Sequence, residues 1–312
     1  MSRDFKNEFT WSVSREQLFR HCPRAYYYNY YGSWGGWKQD APARVRQLYI
    51  LKNIKTMILW SGSIVHDTIK EVLDEYARSQ RMPTLPQLQE HARQKMRAGW
   101  VESTSKIWKK YPKKTNLFEL FYGNGKSLPT ETTRKIKARI FDALANFYHC
   151  AVVKEILATP YLQWKPVDVL DSFKVNQFKV WCAIDFAYID SNQILNIIDW
   201  KTGQEPRETL RQQLGCYAIY AMEKWQLPIE RISLNGVFLN DGGRKSNYPI
   251  EPELLISVKD QILTSIQAMR NKLSNKKNNE ADEENFPMTE DSYPCETCVF
   301  RRLCPRWAKD FL

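Results

Sequence analysis

Residues 197–203 read "IIDWKTG" and set two opposite charges, Asp199 and Lys201, inside an otherwise apolar, strand-like run. On a β-strand, positions i and i+2 point to the same face, so the carboxylate and the ammonium emerge side by side. Two readings are open for such a pair. One is a salt pair on the wet face of a half-buried strand, which contributes little to stability. The other is a catalytic pair, in which the carboxylate holds a metal ion and the lysine handles a water or an anionic group.

Around this stretch the apolar period is two. "VDVLDSFKV" (167–175) and "FKVWCAIDFAYI" (178–189) read as strands joined in a hairpin at Asn176-Gln177, and "QILNIIDWK" (193–201) is the third strand. In the second strand Phe178, Val180, Cys182, Ile184 and Phe186 share one face, while Ala183, Asp185 and Ala187 share the other. An aspartate between two alanines has space in front of it, which suits a bound ion. Beyond the motif the pattern predicts a helix over residues 207–225, a strand over 230–239 and a helix over 252–273.

Upstream the chain reads as helical. Ser14 and Gln17 have capping-box spacing for a first helix. A second helix is expected to begin near Gly62, with Val65, Ile69, Val72, Leu73 and Tyr76 on one stripe and His66 at its border. Residues 86–157 are expected to be mostly helical. "NKLSNKKNNEADEENFP" (271–287) is polar and charged, the composition of a mobile insertion. The order of elements predicts an α/β fold: a mixed central sheet flanked by helices, with an N-terminal helical lobe. The expected division is 1–60, an N-terminal helix and aromatic-rich segment; 61–165, a basic helical lobe; 166–273, the core; 274–294, a mobile linker; and 295–312, a cysteine segment.

The net charge of +11 is unevenly spread. Residues 1–150 carry 26 Lys+Arg against 13 Asp+Glu, so the whole positive excess lies in the N-terminal half. That asymmetry points to a polyanion, nucleic acid being the commonest. Its densest point is "KIWKKYPKK" (106–114), where lysines interleave with Trp108 and Tyr111. Lysines neutralise phosphates and aromatic faces stack on unpaired bases, although a solvated helix end would carry the same letters. No run approaches the ~18 apolar residues of a membrane helix. "MSRDFKNEFTW" lacks the apolar core of a secretory signal, and the expected compartment is the cytoplasm.

"GSIVH" (62–66), "AID" (183–185), "DWK" (199–201) and "QLGCY" (213–217) follow one another in this order. Together they resemble the PD-(D/E)XK nuclease superfamily, in particular its RecB-like branch with an iron–sulfur cluster. That branch includes CRISPR-adaptation exonucleases and the nuclease domains of AddAB-type recombination helicases. The resemblance covers residues 60–240 and both ends, and implies a restriction-endonuclease-like core. It implies that His66, Asp185 and Asp199, with the Trp200 carbonyl, ligate Mg²⁺ or Mn²⁺. Lys201 would position the attacking water and offset developing charge, and Gln213 and Tyr217 would orient Lys201 or the scissile phosphate. Where the family usually has glycine, three positions before the motif aspartate, this chain has Cys182, which alternation puts on the opposite face from Asp185.

"CETCVFRRLCP" spaces Cys295, Cys298 and Cys304 as C-x₂-C-x₅-C, and Cys22 stands in "CPRAYYY" near the other end. Four thiolates suit a zinc ion or an iron–sulfur cluster equally well. The resemblance implies a [4Fe–4S] cluster that clasps the two ends. Cys150, Cys182 and Cys216 fall inside helix or strand patterns and are expected to be buried. The expected activity is metal-dependent hydrolysis of DNA, on single strands or ends, with other DNA-processing proteins as further partners. A duplex endonuclease or nickase, a non-catalytic DNA-binding subunit and a redox sensor are the alternatives.

Overall fold

The computed structural model describes residues 6–123, 128–165, 170–203 and 207–307. Its helices are, in chain order, α1 (Val13–His21), α2 (Pro23–Tyr27), α3 (Ala43–Leu51), α4 (Met57–Ser79), α5 (Leu85–Thr104), α6 (Phe118–Tyr122), α7 (Thr130–His149), α8 (Ala151–Ala158), α9 (Arg207–Lys224) and α10 (Pro252–Arg270). The strands are β1 (Asp171–Val175), β2 (Phe178–Cys182), β3 (Phe186–Ile189), β4 (Leu195–Lys201), β5 (Ile232–Phe238) and β6 (Arg244–Tyr248). The chain divides into two compact units rather than five consecutive segments. The first is Met1–Met57, Ala98–Ser127 and Ile262–Leu312; the second is Ile58–Arg97 and Leu128–Gln261.

In the second unit the sheet order is β3-β4-β5-β6. The β4–β5 pair is parallel, as a strand–helix–strand crossover through α9 requires, and the two flanking pairs are antiparallel. This is the mixed sheet the sequence predicts. β4 lies between two partners and is buried along Leu195–Trp200, which explains its unbroken apolar run. On its helical side, Ile136, Ile140, Ala143, Leu144 and Phe147 of α7 form a buried stripe, and the Phe147 ring meets Trp200 edge-on at 5.4 Å.

The expected second strand is in fact two. β2 pairs with β1 in a separate hairpin, with Asn176 at φ 52 in its turn, whereas β3 pairs with β4. Residues 183–185 join the two sheets, so Asp185 sits at the head of β3 and not within a strand. Val180, Cys182, Ile184 and Phe186 are all buried, and alternation runs through the join without marking the change of partner. β6 has no counterpart in the sequence pattern, because an edge strand with mostly exposed residues, "RKSNY", carries no apolar alternation. Residues 167–169 of the expected first strand lie outside the described residues.

In the first unit the cap of α1 is Ser12, whose Oγ accepts the Arg15 N–H at 3.2 Å; Ser14 bonds Ser12 instead. α4 begins at Met57, ahead of Gly62, because the Glu119 carboxylate accepts the Met57 N–H at 3.0 Å, a cap that sequence spacing cannot reveal. The stretch 274–294, expected to be a mobile linker, is packed. Phe286 is fully buried, with ring centroids 5.5 Å from Tyr27 and 6.1 Å from Tyr26. Glu283 accepts from the Tyr28 hydroxyl at 2.8 Å and pairs with both Arg24 and Arg44 at 2.9 Å. One phenylalanine and one glutamate anchor a segment whose average composition is that of a linker.

Candidate active site

Asp199 is only 1 % exposed, and a buried carboxylate needs partners. Strand alternation supplies the first: Lys201 Nζ lies 2.8 Å from Asp199 Oδ2. α9 supplies the others. Gln213 and Tyr217 are one turn apart on it, so both reach the same strand end. Gln213 Oε1 accepts from Lys201 Nζ at 2.9 Å, Gln213 Nε2 donates to the Tyr217 hydroxyl at 2.7 Å, and that hydroxyl donates to Asp199 Oδ1 at 3.4 Å. The four side chains close a ring. Burial, then Asp199 and Asp185, push the Tyr217 hydroxyl far above its ordinary value, so it remains a donor.

Asp185 joins from β3. The ladder pairs Phe186 with Ile198, and continuing that register by one residue sets Asp185 across from Asp199. Asp185 Oδ2 accepts the Trp200 backbone N–H at 2.8 Å, and its Oδ1 lies 3.4 Å from His66 Nδ1. Gly62 brings His66 within reach: a Cβ there would sit 3.1 Å from Thr202 Oγ1, so a glycine lets α4 lie close to the end of β4. Burial opposes a charged imidazole, but Asp185 and, behind it, Asp199 outweigh this and push His66 up to about 9.

Past Lys201 the strand opens on a groove of about 960 Å³, lined among others by Arg139, Thr202, Phe238, Asn240, Arg244 and Tyr248. Arg139 of α7 and Asn240 both donate to the Thr202 carbonyl, the latter at 2.6 Å. The sequence pattern does not reveal this groove. Arg139 is one of several cations bordering the α7 stripe, and nothing in its spacing sets it apart from the rest.

The structure therefore brings His66, Asp185, Asp199, Trp200, Lys201, Gln213 and Tyr217 together at one sheet end. Among the described residues, no three His, Cys, Asp or Glu side chains form a ready group for a metal ion. As they stand, these carboxylates are engaged by Lys201, by the Trp200 N–H and by His66. In the first unit Cys22, Cys295, Cys298 and Cys304 are free thiols, and Cys22 and Cys298 pack on one apolar cluster with Phe300. Burial first, then Cys22, Cys304 and Cys295, push the Cys298 thiol up to about 11. Cys150, Cys182 and Cys216 are buried. Trp108, expected to be a stacking residue, is 8 % exposed, packs on Phe121 and donates to the Ser103 carbonyl at 3.4 Å. It is a core residue.

A mixed sheet flanked by helices, with D-x-K closing its parallel central strand and a second aspartate across from it, defines a restriction-endonuclease-like fold. The chain belongs to the PD-(D/E)XK nuclease superfamily, whose sequence model matches residues 10–305. No curated protein matches it.

Proposed function

We propose that the chain is a divalent-metal-dependent deoxyribonuclease, an exonuclease acting on single strands or DNA ends, of the RecB-like branch with a four-cysteine iron–sulfur cluster. The observation that carries this reading is the closed ring Asp199–Lys201–Gln213–Tyr217, with Asp185 anchored beside it.

The donor set suits a hard divalent ion: two carboxylates, the Trp200 carbonyl and an imidazole would hold Mg²⁺ or Mn²⁺. Such an ion, when bound, supplies an acidified water and polarises a phosphoryl oxygen. The ring keeps the Lys201 ammonium charged and aimed, so that it orients the attacking water and offsets charge on the phosphate as it grows. Gln213 and Tyr217 are positioning residues acting through Lys201 and Asp199. The groove beyond Lys201 has room for several nucleotides, with Arg139 and Arg244 to meet phosphates.

Four free thiols in one unit are chemically suited to an iron–sulfur cluster, and Cys22, Cys295, Cys298 and Cys304 would hold it as a clasp there. None of the four adjoins the catalytic residues in sequence, so its role is structural. The expected setting is the cytoplasm; among the described residues no helix is long and apolar enough to cross a membrane. The test is cleavage of end-labelled linear and of circular single strands with Mg²⁺, Mn²⁺ or EDTA. Metal-dependent loss of the linear strand alone supports the exonuclease. Nicking of the circle would make it an endonuclease. No cleavage of any substrate with either metal would leave a non-catalytic DNA-binding subunit.

A further inference from the structure

The aromatic turn "GSWGGW" (32–37) and the lysine segment 106–114 both belong to the first unit, and the site above uses neither. Two glycines shape the turn. Gly35 has φ +82, and a Cβ on Gly36 would sit 2.4 Å from Tyr49 Cβ, so the turn lies directly on α3. It carries Trp34 and Trp37 outward, 38 % and 39 % exposed, with ring centroids 5.0 Å apart and planes at 86°. Trp37 is backed by Tyr49, whose ring centroid is 5.9 Å away.

Arg46 of α3 joins this turn to the lysine segment. It donates to the Gly36 carbonyl at 2.9 Å and to the Lys110 carbonyl at 3.5 Å, so one guanidinium spans both. Beyond it Tyr111 is 54 % exposed, with Lys110 Nζ 5.3 Å from its ring centroid. Lys109, Lys110 and Lys113 are exposed, and among the described residues none of them is in an ion pair; Lys114 is held by Glu102 at 2.6 Å. Nearby, burial first, then the charges of Arg15 and Lys113, lower Lys52 to about 8.

We propose that this face of the first unit, built from Trp34, Trp37 and Tyr111 with Arg46, Lys109, Lys110 and Lys113, is a binding platform for single-stranded nucleic acid. Half-exposed rings beside unpaired lysines suit a ligand with flat apolar faces and a charged backbone. Unpaired bases on a phosphodiester chain are that ligand. A duplex hides its base faces from the rings, and an acidic protein has charge without them. The platform gives the proposed nuclease its preference for single strands and rests on that reading only for its purpose, because binding is measured without cleavage.

The full chain is titrated in EDTA against fluorescein-labelled oligo-dT and oligo-U of about twenty nucleotides, and against a duplex of equal length, at several salt concentrations. W34A/W37A is expected to weaken single-strand binding about tenfold or more at unchanged salt slope, while duplex binding changes little. W34F/W37F is expected to recover most of the loss. K109A/K110A/K113A is expected to flatten the slope by up to ~0.7 per lost phosphate contact. Parental melting of W34A/W37A shows that the fold is intact. Single-strand affinity unchanged in W34A/W37A, or an equal loss on duplex, overturns the platform. Weakened binding in a protein that no metal makes active would sink the nuclease and leave the platform standing.

Discussion

The Trp200 backbone N–H donates to Asp185 Oδ2 at 2.8 Å, so one carboxylate is anchored to the peptide that separates Asp199 from Lys201. An amide oxygen can accept that bond as well as a carboxylate can. Asp185→Asn is therefore expected to keep the bond to Trp200, to melt lower than the parent only by the share of the lost His66 pair, and yet to lose DNA cleavage with Mg²⁺ and Mn²⁺. Asp185→Ala should melt lower still. Cleavage by Asp185→Asn at the parental rate would remove Asp185 from the site.

Asp199 and Lys201 are coupled in burial. Asp199→Asn or Lys201→Met alone leaves a charge without its counter-ion and should cost about 3 kcal/mol in urea unfolding. The double variant should cost clearly less than the two losses added. Additive losses would mean that the pair contributes nothing as a pair.

His66 makes stability depend on pH in a known direction. An ordinary imidazole titrates near 6.5, and the folded, metal-free chain holds the His66 proton up to about 9. Its contribution is whole below about 6.5 and is lost as the pH rises through about 9. The melting temperature in EDTA should fall across that window, and His66→Gln should flatten the fall. Metal uptake must displace the same proton. Calorimetry in buffers of different ionisation enthalpy should therefore show about one proton released per Mn²⁺ near neutral pH, and none in His66→Gln.

Tyr217→Phe keeps the ring's packing but removes its donor to Asp199 and the acceptor for Gln213. The expected result is a kcat about tenfold lower at unchanged KM, since Lys201 is then less well held. A change in KM alone would assign Tyr217 to substrate binding.

Trp108→Ala should cost about 3–5 kcal/mol, as the loss of a buried indole does, and leave the salt slope of DNA binding untouched. An altered slope at parental stability would return Trp108 to the surface.

The cysteines separate by unit, with Cys22, Cys295, Cys298 and Cys304 in the first and Cys150, Cys182 and Cys216 in the second. Anaerobically purified protein should be brown with about four irons per chain. Cys22→Ala and Cys298→Ala should lose the colour and melt lower, and Cys150→Ala should keep the iron. A colourless preparation with one zinc would make the clasp a zinc site.

How much of this was legible depends on whether the deciding contact is local. Asp199, Lys201, Gln213 and Tyr217 stand at strand and helix spacings that put them on common faces, so their grouping could be read from the letters. The same alternation concealed the join at residues 183–185, because a strand that changes partner keeps its inward and outward sides. Strand β6, the Glu119 cap on Met57 and the burial of Phe286 all depend on partners distant in sequence. Trp108 failed for a related reason: an indole among lysines reads as surface, and only Phe121 and Ser103 make it core.

The division into units sets an order of assembly on the ribosome. Once residue 261 has left the exit tunnel, every residue of the second unit is available, and its strands can pair with no help from the residues still to be made. The first unit has by then only its opening segments, with Tyr26 and Tyr27 lacking Phe286, and Arg24 and Arg44 lacking Glu283. Its aromatic stretch lacks these partners until Glu283 and Phe286 are made. During synthesis this is the surface a chaperone would have to guard. A chain cut short before Glu283 should keep its sheet and aggregate through its tyrosines.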